Sequence, residues 1–454
     1  MTLNGGRFAD LRAEFTKVEK VLADTPSVDA LFSLPTEEFV ARQQKTYEAL
    51  RQRGASVGVV FSNEQYDGDV PYLGGNSNVH VEQVGGVIGK TGFHVLTGLE
   101  GCYVAEQLSR RALAKVDKVE FFKLAGEEYP IQPVPLEQVV EAAAGGKVHQ
   151  VALLTPREVI PAALVNQLES AYGRENVIDL QEAYQRIKYE KSENEMRLIR
   201  DATVIADAML RAMLAVLKPG KMETQVAAWG YFVARELGAE EMGWDVSVCA
   251  NTANRTLIGK ALNRVIQEGD YVLLGAGPKR DGLNSCVRRS CVAVANPRQV
   301  SADQRFWLQF IEEAYKTGLK ALQEVAANKS PAYLAERALV DFFKWKGTEV
   351  SQRLGKKIAL ERFKPYSSVH NTGYTECQEF FGNVTLNSSD PLGDRVALML
   401  DVALRGIGES WDDVVIPGMD FVVVENTCGK FGPRLEEFNT LPYNVQELVG
   451  ANLT

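Results

Sequence analysis

The pattern of helices and strands changes near residue 185, and this change limits the possible folds more than any other feature. Before it, helical and strand patterns alternate. Residues 37–54 have helical apolar spacing and end at Gly54, and "ASVGVVFS" at 55–62 follows as a buried strand. "FHVLTG" and "QVALLT" indicate further strands, and "PAALVNQLESAYG" another helix. This alternation is typical of an α/β domain with a largely covered sheet.

The second half begins with a long amphipathic pattern within residues 180–220, which Pro219 and Gly220 end. Helical patterns at 222–239 and at roughly 302–346 are separated by strand patterns such as "YVLLGAG", "SCVRRSCVAVA", "RVALMLDVALRG" and "DFVVVEN". Strands that arrive from distant sequence favour an α+β domain, with helices against an antiparallel sheet. We therefore predict an α/β N-terminal domain at 1–185 and an α+β catalytic domain at 186–454.

Composition excludes some classes of function. The 454 residues are 45% hydrophobic and 24% charged, which is typical of a globular protein with two or more domains. A net charge of −9 argues against binding of nucleic acid. There is no apolar run that could span a bilayer, and "MTLNGGRFADLRAEF" lacks the features of an export signal, so we expect a cytoplasmic protein with no membrane partner. The six cysteines show no CxxC pair and are expected to be reduced thiols.

Short motifs along the chain resemble those of the creatinase, aminopeptidase P and prolidase family. The resemblance covers the whole chain and implies an N-terminal α/β domain followed by a catalytic domain of the pita-bread fold. The motifs are, in order, "RIKYEKSENEMRLIRDA", "LKPG", "NRVIQEGDYVLLGAG", "VHNTG" (369–373), "VIPGMDFVVVEN" (415–426), "PRLEEF" (433–438) and "LVGANLT".

The family's peptidases hold two divalent metals with two Asp, one His and two Glu. Carried over to this chain, the first Asp falls on Gly275 and the second on Cys286, while the His falls on His370 and the two Glu on Glu425 and Glu436. The loss of both Asp predicts that there is no dinuclear centre and, in our leading interpretation, no metal or other cofactor. Creatinase is a metal-free precedent within this fold. Its catalytic His has no counterpart in "TLIGKALNR", so creatine is not expected as the substrate.

His370 is the one histidine of the second half, and we predict that it transfers protons as a general acid and base. A packing role is the alternative. Glu425 and Glu436 are predicted to be its electrostatic partners, since a close pair of carboxylates splits into one acid and one base. Salt bridges without a catalytic role would also account for both glutamates.

Cys286 is predicted to be a nucleophile or ligand, because Arg288 and Arg289 could favour its thiolate. The alternative is an inert buried thiol. The two arginines are also candidate clamps for a substrate carboxylate, since a guanidinium binds carboxylates in bidentate fashion. Arg289 fits a structural role equally well.

Two further stretches provide candidate substrate contacts. Tyr72 lies in the turn-rich segment 67–78, and the family's N-terminal domain often offers such a loop to the neighbouring subunit's site. The resemblance thus implies a homodimer. Trp244 lies in 241–255, the expected entry to the pocket. Ordinary turn and packing roles are the alternative for both residues.

The leading hypothesis is a metal-independent, creatinase-like enzyme that hydrolyses, or eliminates across, a C–N or related bond of a small polar molecule with a carboxylate. A second hypothesis is a lyase or hydrolase with a single zinc or iron held by His370, Glu425 and Glu436, with or without Cys286. A third is a non-catalytic binding protein of the same fold.

Overall fold

A computed structural model gives the architecture of the chain. The residues that it describes are 6–75, 80, 82–124, 126, 130–252, 255–375 and 381–450.

Apart from the first helix, the helices of the described residues fall into two groups, one before residue 190 and one after it. The helices are α1 (Gly6–Asp24), α2 (Thr36–Gln52), α3 (Asp69–Gly74), α4 (Cys102–Leu108), α5 (Leu136–Ala144), α6 (Ala162–Tyr172), α7 (Gln181–Tyr189), α8 (Glu193–Val216), α9 (Glu223–Glu236), α10 (Ala302–Asn328) and α11 (Tyr333–Leu354).

The strands of the described residues form two sheets. The strands are β1 (Val57–Ser62), β2 (Val84–Gly89), β3 (Gly92–Thr97), β4 (Lys115–Lys118), β5 (Val151–Leu153), β6 (Val177–Asp179), β7 (Glu241–Ala250), β8 (Tyr271–Arg280), β9 (Leu283–Asn284), β10 (Val287–Val292), β11 (Val369–Asn371), β12 (Arg395–Arg405), β13 (Phe421–Phe431) and β14 (Arg434–Glu437).

The chain divides into two compact units. Their limits differ from the predicted boundary at residue 185, because each unit contains more than one stretch of the chain. The first unit comprises Phe32–Glu190 and Gly373–Phe381, and the second the remaining residues. Helix α1 belongs to the second unit because its residues Val18 and Val21 are buried in the core of that unit. Glu14 of α1 also pairs with Lys221 at 2.5 Å. These contacts explain why α1 lies with the second unit although it precedes the first in sequence.

The first unit is built around a mixed sheet of order β4-β3-β2-β1-β5-β6. Strand β1 pairs antiparallel with β2 and parallel with β5. Its apolar residues pack against helices α5 and α6, in a cluster that includes Val57, Phe61, Val139 and Leu164. This confirms the predicted α/β domain.

The second unit has an antiparallel sheet of order β11-β12-β13-β10-β8-β7, with β14 on β13 and β9 on β8. Helices α8 and α9 cover one face of β7, β8 and β10 through a cluster that includes Val248 and Leu274, and α1 packs against these two helices. Helix α8 begins where Ser192 and Glu195 form a capping box, which ends the charge-rich segment before it. This unit confirms the predicted α+β domain.

None of the helices in the described residues is long and apolar enough to cross a membrane.

Candidate active site

Four neighbouring strands place Gly275, Arg288, Glu425 and Asp401 side by side across the sheet of the second unit. Gly275 of β8 lies opposite Arg288 of β10, which lies opposite Glu425 of β13, which lies opposite Asp401 of β12. Directly opposed residues project to the same face of a sheet. We call these four positions the cross-strand row. Their face is opposite to the one that carries Leu274 and helix α8, because Leu274 is the next residue along β8.

Arg288 binds both carboxylates of the cross-strand row. Its Nε donates to Glu425 Oε2 and its Nη2 to Asp401 Oδ2. It also donates to the backbone oxygen of Leu257 at 2.9 Å and to the hydroxyl of Tyr366 at 3.1 Å. Burial alone would lower the pKa of Arg288, but Asp401 and Glu425 outweigh it and raise that pKa well above its usual value. A permanent positive charge therefore lies between the two acids.

The same surroundings shift the two carboxylates in opposite directions. Burial raises the pKa of Asp401 to about 7, in spite of the Arg288 charge. Burial would also raise the pKa of Glu425, but Arg288 and His370 outweigh it and lower that pKa to about 2. Because one guanidinium lies between two close carboxyl groups, Glu425 is ionised near neutral pH and Asp401 is the group that can hold a proton.

His370 faces the row from strand β11, where it is opposite Met399 of β12. Its Nε2 lies 3.5 Å from Glu425 Oε1, and its Nδ1 lies 3.3 Å from the backbone oxygen of Asn371. Glu425 Oε1 is buried, and no described residue forms a hydrogen bond with it. Both imidazole nitrogens thus face oxygen atoms, and only the protonated ring can donate to both. The side chain is 13% exposed, so a ligand can reach it.

Cys286 also contacts Glu425, but the contact favours a thiol. Its Sγ lies 3.2 Å from Glu425 Oε2 and donates a hydrogen bond to it. The residue is buried, and its backbone is held by the Thr427 hydroxyl at 2.9 Å. A thiolate at this position would face the ionised Glu425 carboxylate, which disfavours a second negative charge. The geometry therefore does not support the predicted nucleophile.

Trp244 fills the space beside the glycine of the row. A Cβ added to Gly275 would overlap the indole Cη2, and one added to Gly277 would overlap the indole Nε1. The same Cβ on Gly275 would also lie 3.0 Å from Arg288 Cγ. The indole therefore lies where the side chain of an acid at position 275 would extend. Trp244 forms a wall of the site, as expected for a pocket residue, and its contact with substrate stays a prediction.

The donor set of the site does not fit the two divalent metals that the family resemblance implies. Gly275, at the position of the first Asp, has no side chain, and Cys286, at the position of the second, offers a thiol that donates to Glu425. His370, Asp401 and Glu425 each offer one ligand atom, and these atoms lie within 4.8 Å of one another. Arg288, however, already bonds one oxygen of each carboxylate. A divalent ion among these atoms would meet the guanidinium charge at close range.

Arg289 lies away from the site, which differs from its predicted role as a clamp. The next residue after Arg288 on a strand points to the opposite face. Its guanidinium is fully buried and donates to the backbone oxygens of Pro442, Leu441, Glu425 and Arg288 and to the Asn426 side chain. These bonds hold the strands together, and they leave no donor for a substrate.

Glu436 also lies outside the site, contrary to the prediction. It is on β14 opposite Gly429 of β13, four residues along that strand from Glu425. Its carboxylate pairs with Arg200 and Arg434. The short hairpin between β13 and β14 causes this displacement, because it fixes the register of the two strands.

Tyr72 is part of the interior of the first unit. It lies in helix α3 and is 4% exposed. Its ring contacts those of Tyr184 and Tyr374 edge-on, and the Arg42 guanidinium lies 4.4 Å from its centre. A buried side chain cannot be offered to a neighbouring subunit, so the predicted role has no support. Residues 76–78 of the same predicted loop lie outside the described residues.

Sequence reasoning missed two residues of the site, Asp401 and Tyr366. The Tyr366 hydroxyl donates to Asp401 Oδ1 at 3.1 Å and also accepts from Arg288. Asp401 could have been noticed, because it is the one charged residue within the apolar stretch "VALMLDVAL" and a buried acid is costly without a partner. Tyr366 has no such signal, since it lies in a segment without regular structure.

Comparisons with known proteins show the fold and support the family resemblance. Residues 197–385 match the model of Metallopeptidase family M24. An uncharacterized peptidase, YqhT of Bacillus subtilis, is 25% identical over 49% of this chain and 60% of its own length. A Xaa-Pro dipeptidase of Pyrococcus horikoshii is 23% identical over 44% of this chain and 56% of its own length. The chain thus spans little more than half the length of these curated relatives.

Solved structures cover more of the chain. The X-Pro aminopeptidase of Thermotoga maritima has a TM-score of 0.68 at 16% identity, over 89% of this chain and 99% of its own. The prolidase of Pyrococcus horikoshii has a TM-score of 0.67 at 16% identity, over 90% of this chain and 100% of its own. Residues 197–385 therefore match metallopeptidase family M24, and the chain has the pita-bread fold of these structures, which confirms the resemblance to the creatinase, aminopeptidase P and prolidase family that its motifs predicted.

Proposed function

We propose that this chain is a metal-independent hydrolase that cleaves a C–N or related bond of a small polar molecule with an acid group. The family M24 match supports a hydrolase. The position of Arg288 carries the more specific proposal, since its guanidinium bonds both Asp401 and Glu425. A fixed guanidinium neutralises carboxylates as a metal does, but it cannot bind and activate a water molecule.

His370 would then be the group that moves protons. In its neutral form it accepts a proton from the attacking water, and Glu425, 3.5 Å away, stabilises the resulting imidazolium. The imidazolium returns this proton to the leaving nitrogen. Elimination would use the same residue, which would take its proton from carbon instead of water. Asp401 holds a second proton near neutral pH, and Tyr366 and Arg288 keep that carboxyl in place.

Metal analysis combined with a substrate screen tests this proposal. The protein is purified with and without a chelator and assayed against guanidino acids, N-acyl amino acids, amino acid amides and dipeptides, including Xaa-Pro. We expect turnover that chelation does not reduce and that His370→Gln abolishes. Stoichiometric bound metal, together with activity that is lost on chelation and restored by metal, would overturn it. Absence of turnover across the panel, with ligand binding retained, would favour the non-catalytic binding protein.

A second candidate keeps a single zinc or iron and acts as a lyase or hydrolase. The observation that favours it is the closeness of the ligand atoms of His370, Asp401 and Glu425. It would require the Arg288 guanidinium to leave the two carboxylates. Glu436, which was a predicted ligand, is not close enough to take part. The metal analysis above distinguishes this candidate from the leading one.

The cytoplasmic location and the homodimer stay predictions. Light scattering on the purified protein measures its mass in solution and tests the dimer directly. A monomer with full activity would show that no neighbouring subunit is needed at the site.

A further inference from the structure

A cleft leads away from the cross-strand row along the same face of the sheet. Asp401 and Arg405 are four residues apart on β12 and therefore point to the same side. The cleft has a volume of about 230 Å³ and is lined by Leu257 and Tyr366, which both bond Arg288, and by Arg255 and Arg405 farther out. It thus begins at the residues that hold the site's guanidinium and ends at two other arginines.

A second, larger groove continues from this cleft. Its volume is about 610 Å³, and it shares Pro365 and Arg405 with the first. Its basic residues include Lys356, Lys357 and Arg362. We call the cleft and the adjoining groove together the basic cleft.

Two cations of the basic cleft have an acidic partner, Arg255 in Asp420 and Lys364 in Glu336, whereas four others have none among the described residues. Among the described residues, Lys356, Lys357, Arg362 and Arg405 form no ion pair and no side-chain hydrogen bond. Acids line the same region, namely Glu409 and Asp413 in the groove and Asp420 in the smaller cleft. Asp420 pairs with Arg255 at 3.0 Å, and the Asp413 carboxylate accepts from the backbone nitrogen of Glu409 at 2.9 Å.

This charge is opposite to that of the whole chain. The protein has a net charge of −9, whereas four cations without an acidic partner lie together here. Single exposed lysines or arginines are ordinary, but a concave surface in which unpaired cations outnumber the acids raises the local concentration of anions. Here that surface begins at the candidate site.

We propose that the basic cleft binds an anionic group of the substrate, either carboxylate or phosphate, through Arg405. This inference rests on the proposed function, because it places the bond to be cleaved at His370 and Glu425. Asp401 and Arg405 are four positions apart on β12, which corresponds to ~13 Å between their backbones. The acid group and the cleaved bond are therefore several bonds apart, and the substrate is elongated. Arg405 takes the place of Arg288 and Arg289 as the clamp for the acid group.

Calorimetric titration at low ionic strength tests the cleft without any need for turnover. The probes are inorganic phosphate and glutarate, and the variants are Arg405→Gln and the double variant Lys356→Gln/Lys357→Gln. Arg337→Gln is the matched control, because Arg337 is an exposed arginine of α11 outside the cleft. We expect Arg405→Gln to weaken binding of the preferred anion roughly tenfold, as for the loss of a charged hydrogen bond, and Arg337→Gln to leave it unchanged. A preference for phosphate or for glutarate identifies the acid group.

The outcomes separate this inference from the proposed function. Equal affinities in Arg405→Gln and Arg337→Gln, or no binding of either anion by the unmodified protein, would overturn the inference whatever the enzyme does. If Arg405-dependent binding is found but no substrate is hydrolysed, the proposed function is wrong and the cleft is an anion site. Once a substrate is known, Arg405→Gln should raise KM and leave kcat nearly unchanged, because Arg405 does not touch the reacting atoms.

Discussion

Replacement of Arg288 by methionine tests the central feature of the site. Methionine has a similar length and no charge, so it removes the cation while it keeps much of the packing. Asp401 and Glu425, both fully buried, then lie next to each other without their shared counter-charge. We expect the variant to be less stable than the unmodified protein near pH 8 and to gain affinity for divalent metal.

The expected loss follows from the contacts. Removal of one partner of a buried ion pair costs ~3–5 kcal/mol, because a charge is left buried without compensation. Arg288 serves two such carboxylates, but either acid can take up a proton in the variant, which limits the loss. Near pH 5 the loss should be smaller, since protonation of Asp401 leaves one buried charge instead of two. The free energy of unfolding of the variant should therefore fall more steeply with rising pH than that of the unmodified protein.

Metal should reverse this loss. Without the guanidinium, the ligand atoms of His370, Asp401 and Glu425 lie within 4.8 Å of one another and offer a site for a divalent ion. An ion at 100 times its Kd would stabilise the folded variant by ~2.7 kcal/mol. The unmodified protein should show no such effect. Arg288→Lys is the control, because it keeps a positive charge although it loses the planar fork.

Urea denaturation at pH 5 and pH 8, with and without Mn²⁺, measures these effects. Equal stabilisation of the unmodified protein and Arg288→Met by Mn²⁺ would refute the reasoning, since Arg288 would then not keep metal out. The reasoning is also wrong if Arg288→Met is as stable as the unmodified protein at both pH values and binds no metal. If the methionine variant does not fold, Mn²⁺ titration of Arg288→Lys still decides the matter, because exclusion of metal by charge predicts no binding there.

Three further predictions follow from the same contacts. The folded-state pKa of Asp401 is raised to about 7. The stability that this carboxyl contributes is therefore fully present below pH ~4 and is lost as the pH rises through about 7. In urea titrations, Asp401→Asn should not show this decrease in stability with rising pH. His370→Gln should reduce turnover by a factor of ~10²–10⁴ with little change in Tm. A loss of folded protein as large as the loss of turnover would contradict a role in proton transfer. Gly275→Ala should cost ~1–3 kcal/mol through overlap with Trp244. The double variant with Trp244→Ala should recover most of that cost, and additive losses would show that the indole is not the obstacle.

The fold was predictable from the sequence because its signals are distributed over the whole chain. The change of pattern near residue 185 separates an α/β unit from an α+β unit, and the order of the short motifs agrees with both. Helix α1 was the exception. It precedes the first unit in sequence, but its contacts are with α8 and α9, and contacts so distant in sequence leave no local signal.

The site was only partly predictable, because strand register decides which residues meet. His370 and Glu425 were predicted correctly as neighbours at the site, because each lies within a recognisable motif. Cys286 was also placed at the site, and its thiol does contact Glu425, but Arg288 was not recognised as the cation between two acids. Strand register, which the motifs do not show, places Arg288 between Gly275 and Glu425. For the same reason Glu436 was expected at the site, whereas Asp401 was not recognised.

Under the proposed function, a guanidinium takes the place of metal ions at the site, and this changes what the retained frame can do. A metal ion both neutralises its carboxylates and activates water, whereas Arg288 does only the first. Its fixed charge nevertheless separates the two acids, with a pKa of about 2 for Glu425 and about 7 for Asp401. The site thus contains an ionised carboxylate beside His370 and a carboxyl that exchanges its proton near neutral pH. Under the proposed function, proton transfer by side chains must supply the activation of water, and the pH dependence of kcat should report the titration of Asp401.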